Sequence, residues 1–320
     1  WQNASQSEAL EKFAAVAPLL RKSNFGFLLT RPSHLGLQEM EPLSPLLLEA
    51  WRKGIEKEWL ASLPHGLDLE TLDYHPGYGL AIHTLGRFDV WRGKTLTNPR
   101  DWQREKARQL FQVFINNNGK WLSRDQLAER LWPELNGDTS GQNLKVALNA
   151  LTRALEPQRE PGRSSFFITR RDTLYGINPA ARIAMDTVDF IELAGSDSLE
   201  DLQTAHDIYQ GDYLFENSSD AQIDATREQL RETYLESGNR LANMLFTAGQ
   251  WDNAMHICHD LLAVDPCNEP AFRTLMRCHA ARGNRSAVHS VFQRCSASLR
   301  EDLDVEPSEE TLSLYRQLTN

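Results

Sequence analysis

Hydrophobic positions follow a helical period at both ends of the chain and a strand-like pattern between them. Apolar residues recur at helical spacing in residues 10–20 and 46–60 and again beyond residue 186. Short apolar runs at 80–85 and 88–91 favour β-strands. The pattern therefore predicts three domains, namely a helical segment over 1–78, a mixed domain over 79–180 and a helical array over 181–320.

Three helices follow the two predicted strands. The apolar spacing indicates a first helix over about 102–116, and residues 123–126 (SRDQ) have the capping-box pattern that begins a second. A third helix is predicted from Thr139 or Ser140 to Leu155. The middle domain is therefore expected to contain a cluster of three helices.

A β-hairpin is predicted after the third helix. Two apolar runs, 166–169 and 174–177, flank the polar residues 170–173 (RRDT). Strands, three helices and a C-terminal hairpin in this order are typical of a winged helix, a variant of the helix-turn-helix. The middle domain is therefore predicted to bind DNA, with the third helix in the major groove.

Small and aromatic residues of the last third lie at tetratricopeptide spacing. Gly249, Trp251 and Ala254 are followed by Leu261 and Pro266, and a second glycine, residue 283, comes 34 positions after Gly249. We therefore expect a short array of about three helix pairs. The predicted fold class is mainly α, with a small α+β winged-helix domain, a tetratricopeptide-like helical array C-terminal to it and a helical segment N-terminal to it.

The third helix has two contrasting faces. At 3.6 residues per turn, its leucines form one stripe that must pack on the domain core, namely Leu144, Leu148, Leu151 and Leu155. The opposite face carries no carboxylate and consists of Gln142, Val146, Asn149 and Arg153, with Lys145 on its flank. Amide side chains pair with adenine, arginine pairs with guanine, and an apolar group contacts the thymine methyl. We therefore expect this face to read bases.

Further residues are expected to contact the DNA backbone or the minor groove. The predicted start of the third helix, at Thr139 and Ser140, would offer backbone N–H groups to a phosphate. The cationic candidates near the second helix and on the hairpin are Lys120, Arg124, Arg170 and Arg171.

The distribution of charge supports a separate anion-binding module. The whole chain has a formal net charge of −10, but residues 79–180 contain 16 Lys and Arg against 10 Asp and Glu, a net +6. The remainder carries 18 against 34, a net −16. A basic domain within an acidic chain is typical of a nucleic-acid-binding module joined to protein-binding modules.

Short motifs in both halves resemble one known family. In the middle domain they are residues 85–90 (LGRFDV), 106–110 (KARQL), 123–127 (SRDQL) and 131–133 (LWP). In the C-terminal domain they are residues 209–214 (YQGDYL), 227–230 (REQL), 265–269 (DPCNE) and 305–311 (VEPSEET). Over roughly residues 80–320 the chain resembles the Streptomyces antibiotic regulatory protein (SARP) family, with its OmpR-type winged helix and bacterial transcriptional activation domain.

The resemblance implies a bacterial activator that binds direct-repeat promoter sites on double-stranded DNA. It also implies RNA polymerase as a partner and a homodimer or tandem assembly on DNA. Two positions depart from the family pattern: Ile223 stands where a tryptophan is usual, and Tyr175-Gly176 replaces the usual Gly-Tyr of the wing. Residues 42–60 resemble the end of the helical sensor region of large MalT-like regulators, which would place a nucleotide-driven domain upstream.

The sequence lacks the common motifs of nucleotide-binding, catalytic and zinc sites. Gly93-Lys94-Thr95 lacks the earlier glycine of a P-loop, and no GxSxG, HExxH or GxGxxG motif occurs, so we expect neither an enzyme nor a cofactor. His256, Cys258 and His259 cluster within one helical turn, but no second ligand pair has zinc spacing, so we expect repeat-helix packing there and no metal site.

The cysteine usage and the apolar runs indicate the cellular compartment of the protein. The four cysteines have no CxxC pair, which indicates free thiols in a reducing cytoplasm. No apolar run is long enough to span a membrane. Because the chain starts at Trp1 without a signal segment, we expect part of a longer protein or a trimmed form.

Two functions follow from these patterns. The first is a sequence-specific transcriptional activator that uses the third helix and the wing on DNA and the helical arrays for regulation. The alternative is a tetratricopeptide-type protein-interaction scaffold whose winged helix binds protein and not DNA. The polar face of the third helix and the +6 charge of residues 79–180 favour DNA.

Overall fold

The computed structural model describes residues 6–34, 37–64, 66–135, 137–216 and 220–319. The chain forms two compact units, of which the first contains residues 1–83 and 89–184 and the second contains residues 84–88 and 185–320. The N-terminal segment therefore packs in the same unit as the middle segment. The three domains expected from the sequence stay a prediction.

The N-terminal segment is helical, as predicted. Helix α1 (Gln6–Lys22) is followed by two 3-10 turns and by helices α2 (Ser44–Arg52) and α3 (Lys57–Ser62). The apolar pattern of residues 46–60 is divided between two helices because Gly54 and Glu56 adopt positive φ angles of 77° and 45°. A common core holds the helices together and includes Leu10, Phe13, Ala17, Leu47, Ala50 and Leu60.

A small antiparallel sheet follows. Strand β1 (Leu80–His83) pairs with β2 (Asp89–Arg92), β2 pairs with β3 (Thr95–Leu96), and β7 (Ile183–Met185) lies on the other side of β1. The first strand ends two residues earlier than predicted and the second begins one residue later, because the residues that join them, 84–88, pack in the second unit.

The predicted helices and hairpin are present in the predicted order. Their bounds are α4 (Glu105–Asn116), β4 (Leu122–Ser123), α5 (Arg124–Leu131), α6 (Gly137–Leu155), β5 (Ile168–Arg171) and β6 (Leu174–Ile177). The capping box of α5 is confirmed, since Ser123 Oγ accepts from Gln126 N at 3.2 Å and Gln126 Oε1 accepts from Ser123 N at 2.8 Å. Helix α4 begins three residues late because Trp102 ends a 3-10 turn and Gln103 has a φ of 57°.

The core of this winged helix is apolar. Strand β6 lies between β4 and β5, and the three helices contact one another. Their fully buried side chains include Leu110, Phe111 and Phe114 of α4, Leu127 of α5 and Leu151 of α6. The mainly α fold with a small winged-helix domain is confirmed.

The second unit is an array of helices, as predicted. It contains α7 (Asp186–Ala194), α8 (Leu199–Ile208), α9 (Ala221–Thr247), α10 (Trp251–Val264), α11 (Glu269–Ala281), α12 (Arg285–Leu303) and α13 (Glu309–Thr319). Successive helices from α9 to α13 pack against each other. Gly249 and Gly283 follow the ends of α9 and α11 with φ angles of 76° and 71°, which is the conformation a helix-ending glycine supplies. The four cysteines are free thiols.

Residues 84–88 are bound tightly within the second unit. The carboxylate of Asp186 accepts hydrogen bonds from Thr84 N, Thr84 Oγ1 and Leu85 N at 2.7, 2.6 and 3.0 Å. Gly86 N donates to Asp212 O at 3.2 Å. Gly86 has a φ of 83°, and a Cβ atom at this position would lie 2.6 Å from the backbone C and O of Gln210.

We therefore expect Gly86→Ala to destabilise the second unit by about 3 kcal/mol, since a positive φ costs about 1 kcal/mol and the backbone clash adds about 2. Gly249→Ala is the matched control, because Gly249 has a similar φ of 76° and nothing within 4 Å of the added Cβ. It should cost only about 1 kcal/mol. Urea unfolding of both variants measures the difference, and equal losses would contradict the close approach at Gly86.

Candidate nucleic-acid interface

Helix α6 turns its two faces in the predicted directions. Leu144, Leu151 and Leu155 are at most 1% exposed, and Leu148 is half-buried at the edge of the stripe. On the opposite side Val146 is 43% exposed, and the other members of this face are also exposed, namely Gln142, Asn149 and Arg153. The prediction that the leucines pack inward and the polar face is open is confirmed. We call these four exposed residues the reading face.

The reading face is long enough to span several base pairs. Gln142 and Arg153 are eleven positions apart in the sequence, which corresponds to about 16 Å along a helix axis. Successive bases on one DNA strand are about 3.4 Å apart. Lys145 is exposed on the flank of the same helix. The described residues of α6 carry one carboxylate, Asp138, in the first turn.

The N-terminal end of α6 differs from the prediction. The helix begins at Gly137, so Ser140 lies one turn inside it and is only 4% exposed, and Gly141 is buried. Thr139 is exposed. The helix therefore begins two to three residues earlier than predicted, and the side chain of Ser140 faces the core. The predicted phosphate contact through backbone N–H groups of this turn stays a prediction.

Arg124 lies beside this end of the helix. A Cβ atom on Gly141 would be 2.5 Å from Arg124 Nη2, so only a glycine leaves room for the guanidinium there. The N-terminus of a helix has a partial positive charge, and a cation beside it is unfavourable unless an anion joins them. Arg124 and the first turn of α6 together are suited to one phosphate group.

Among the described residues, four exposed cations around α6 have no carboxylate partner. Lys120, Arg124, Lys145 and Arg153 form no ion pair with any residue in the described ranges. By contrast, Arg92 is 2.8 Å from Asp101 Oδ2, and other arginines of this unit also pair with acids. Unneutralised cations beside a face without carboxylates produce a positive surface potential, which attracts a polyanion.

The wing, which is the hairpin of β5 and β6, carries two further exposed arginines. The guanidinium carbon of Arg171 lies 4.3 Å from the centroid of the Trp121 ring, and that of Arg170 lies 5.8 Å from the Tyr175 ring. A Cβ on Gly176 would be 3.1 Å from the Trp121 indole. The Tyr175 ring therefore packs against Arg170. Because Gly176 has no side chain, the Trp121 indole fits beside it and packs against Arg171.

Several residues that fix the C-terminal end of α6 were missed by the sequence analysis. Arg92 Nη1 donates to Ala154 O and Tyr78 Oη donates to Leu155 O, both at 2.8 Å. These donors satisfy carbonyl groups that a helix end leaves unbonded. They come from the sheet and from the segment before it, and no local sequence pattern indicates such long-range contacts.

A buried carboxylate directly after α6 was also missed. Glu156 is 1% exposed, and its Oε1 accepts from Ser165 Oγ, Phe166 N and Phe167 N at 2.8, 2.8 and 2.9 Å. Its Oε2 lies 2.9 Å from Arg159 Nε. Burial raises the pKa of Glu156, while the hydrogen bonds and Arg159 oppose that rise. The carboxylate joins the end of α6 to the start of the wing.

Other binding chemistry is not evident in the described residues. They contain no group of three or more His, Cys, Asp or Glu side chains placed to hold a metal ion. Of the predicted repeat-packing cluster, Cys258 is buried as expected. The side chain of His256 is 79% exposed and 3.7 Å from Asp260, and His259 is also exposed, so the packing expectation is wrong for these two histidines. Within the same described ranges, none of the helices has the length and apolar character needed to cross a bilayer.

Comparisons with known proteins identify one described domain in the C-terminal part of the chain. Residues 194–319 match the model of the bacterial transcriptional activator domain. The fold is similar to that of Mycobacterium tuberculosis EmbR in complex with a low affinity phosphopeptide, with a TM-score of 0.61 and 15% sequence identity. This similarity covers 75% of the present chain and 65% of the EmbR chain.

No protein of curated function matches the chain in sequence. The domain match agrees with the motifs found in residues 209–311, and the shared fold agrees with the mainly α architecture. The chain thus carries a bacterial transcriptional activator domain at residues 194–319, and its resemblance to the SARP family of transcriptional activators is confirmed.

Proposed function

We propose that this chain is a sequence-specific, DNA-binding transcriptional activator that acts on promoter repeats in the bacterial cytoplasm. The observation that carries the proposal is the reading face of α6, which is exposed, free of carboxylates and surrounded by cations without acidic partners in the described ranges. A helix with such a surface is suited to the major groove.

The proposal assigns a role to each residue of the reading face. Gln142 and Asn149 are suited to adenine, Arg153 to the O6 and N7 atoms of guanine, and Val146 to a thymine methyl. Phosphate contacts are assigned to Lys120, Arg124, Thr139, Lys145, Arg170 and Arg171. No enzymatic step and no cofactor are part of the proposal.

The helical unit is assigned the activating role. Its match to the bacterial transcriptional activator domain supports recruitment of RNA polymerase, or self-assembly as a homodimer or tandem array on repeated sites. Two copies bound one helical turn apart would place their units at a fixed spacing on the promoter.

Two substitutions distinguish base reading from backbone contact. A cognate duplex is first selected from a pool of random sequences, and binding is then measured on that duplex and on a scrambled one. Arg153→Ala should reduce the preference for the cognate duplex about 10- to 100-fold, which corresponds to one bidentate contact. Lys120→Ala should weaken binding to both duplexes by a similar factor.

The outcomes separate the two candidate functions. Equal losses on both duplexes for Arg153→Ala would remove this residue from the reading face. A selection that enriches no sequence, together with a partner protein that is lost on Arg153→Ala, would favour the protein-interaction scaffold.

A further inference from the structure

Two carboxylates hold the loop that connects α6 with the wing, residues 156–167. Glu156 is at the first position of this loop and binds its last residues, since Phe166 N and Phe167 N donate to Oε1. Asp73 of the N-terminal segment binds the middle of the loop, where Ser164 N donates to Oδ2 at 2.8 Å and Arg163 Nη1 donates to Oδ1 at 3.0 Å. The loop is therefore fixed at its ends and at its centre.

Asp73 is itself attached to helix α2. Arg52 Nη2 donates to the backbone oxygen of Leu72 at 3.2 Å and of Asp73 at 2.5 Å, and lies 3.8 Å from the Asp73 carboxylate. The hydrogen bonds from Ser164 and Arg163 lower the pKa of Asp73, so the carboxylate stays charged at neutral pH. A continuous set of polar contacts thus runs from α2 to the loop.

An aromatic contact reinforces the same connection. The ring of His75 lies 4.1 Å from the ring of Phe166, centroid to centroid, and both side chains are buried. Phe166 is one of the residues whose backbone N–H binds Glu156. The N-terminal segment therefore contacts the loop at the residues that Glu156 also holds.

We infer that Glu156 and Asp73 are positioning residues for DNA binding, through which the N-terminal segment sets the position of the wing relative to α6. The inference rests on the proposed function and names a regulatory input for it. An arginine on a wing held in place binds phosphate without an ordering cost, whereas a wing released from α6 must be ordered on binding. A conformational change in the N-terminal segment would alter its contacts with the loop and so change the position of the wing.

A double-mutant cycle tests the inference. In the otherwise native chain, Arg171→Ala should weaken cognate binding about tenfold. In the Glu156→Ala background the same change should weaken it less than about twofold, because the wing no longer holds Arg171 in place. In the Asp73→Ala background, Arg171→Ala should weaken cognate binding by a factor between these two values. All variants are measured at a temperature at which circular dichroism shows them folded.

Conservative and matched controls separate positioning from general stability. Glu156→Gln keeps an oxygen that accepts from Phe166 N and Phe167 N, so it should restore most of the Arg171 effect. Asp68→Ala removes an exposed carboxylate of the same segment that accepts a local hydrogen bond from Glu70 N at 3.2 Å, and should leave the effect unchanged.

The possible failures are distinguishable. An Arg171 effect of the same size in all backgrounds would overturn the inference while leaving DNA binding intact. If Arg171→Ala and Arg153→Ala both have no effect in the native chain, the proposed function itself fails. Should Glu156→Ala not fold, the half-exposed Asp73 carries the same cycle.

Discussion

Raising the monovalent salt concentration from about 50 to about 200 mM is expected to weaken binding to the cognate duplex about 500-fold. Each phosphate that a cation neutralises releases bound counterions, so the logarithm of the affinity falls with the logarithm of the salt concentration at about −0.9 per contact. Five exposed cations are assigned to phosphates, namely Lys120, Arg124, Lys145, Arg170 and Arg171. The expected slope is therefore about −4.5 per bound chain.

Single substitutions should change this slope in steps. Removing Lys120 or Lys145 should reduce it by about 1, because one counterion fewer is released. Lys22→Ala is a control, since Lys22 is an exposed lysine at the end of α1, and the slope should stay unchanged. Fluorescence anisotropy titrations at four or five salt concentrations give the slopes, and a native slope shallower than about −2 would contradict the assigned phosphate contacts.

Regular periodicity explains why the reading face could be predicted from the sequence. The 3.6-residue period assigns Leu144 and Leu151 to one side of α6 and Gln142 and Asn149 to the other, whatever the partners of the leucines are. The structure confirms this division. The capping box at Ser123 was predictable for the same reason, since its two hydrogen bonds join residues three positions apart.

The contacts that position α6 could not be predicted in this way. Arg92 is 62 positions before Ala154, and Asp73 is 91 positions before Ser164, so no local pattern links these residues. Glu156 is a further example, because an acid after a helix is usually solvated and this one is buried. Each contact depends on how separate segments pack in one unit.

The start of α6 was predicted two to three residues too late. Thr139 and Ser140 are residue types that commonly cap helices, which favoured a start at one of them. The helix begins earlier, at Gly137, so Ser140 lies within it, one turn before Leu144 and on the same buried side. Helix ends are therefore predicted less well than helix faces, and phosphate contacts at α6 depend on the end.

The free energy of unfolding of the first unit is expected to depend strongly on pH because of a histidine in the N-terminal segment. His75 is 5% exposed, packs on Phe166 and uses Nδ1 to accept from Gly77 N at 3.0 Å, so it is held in the neutral form. Burial lowers the pKa of His75 to about 3, from 6.5. Between these values the unfolded chain binds a proton that the folded chain does not, so the free energy of unfolding falls as the pH is lowered from 6.5 toward 3.

The expected loss approaches about 1.4 kcal/mol per pH unit below pH 6, and amounts to about 2 kcal/mol between pH 6.5 and 4.5. His75→Asn removes the titrating group and keeps an oxygen that accepts from Gly77 N, so the unfolding free energy of this variant should depend less steeply on pH by this amount. The exposed His34 provides the control His34→Asn, which should follow the native protein. Urea unfolding at half-unit steps of pH gives the curves, and parallel curves for the native protein and His75→Asn would show that His75 takes up its proton in the folded state.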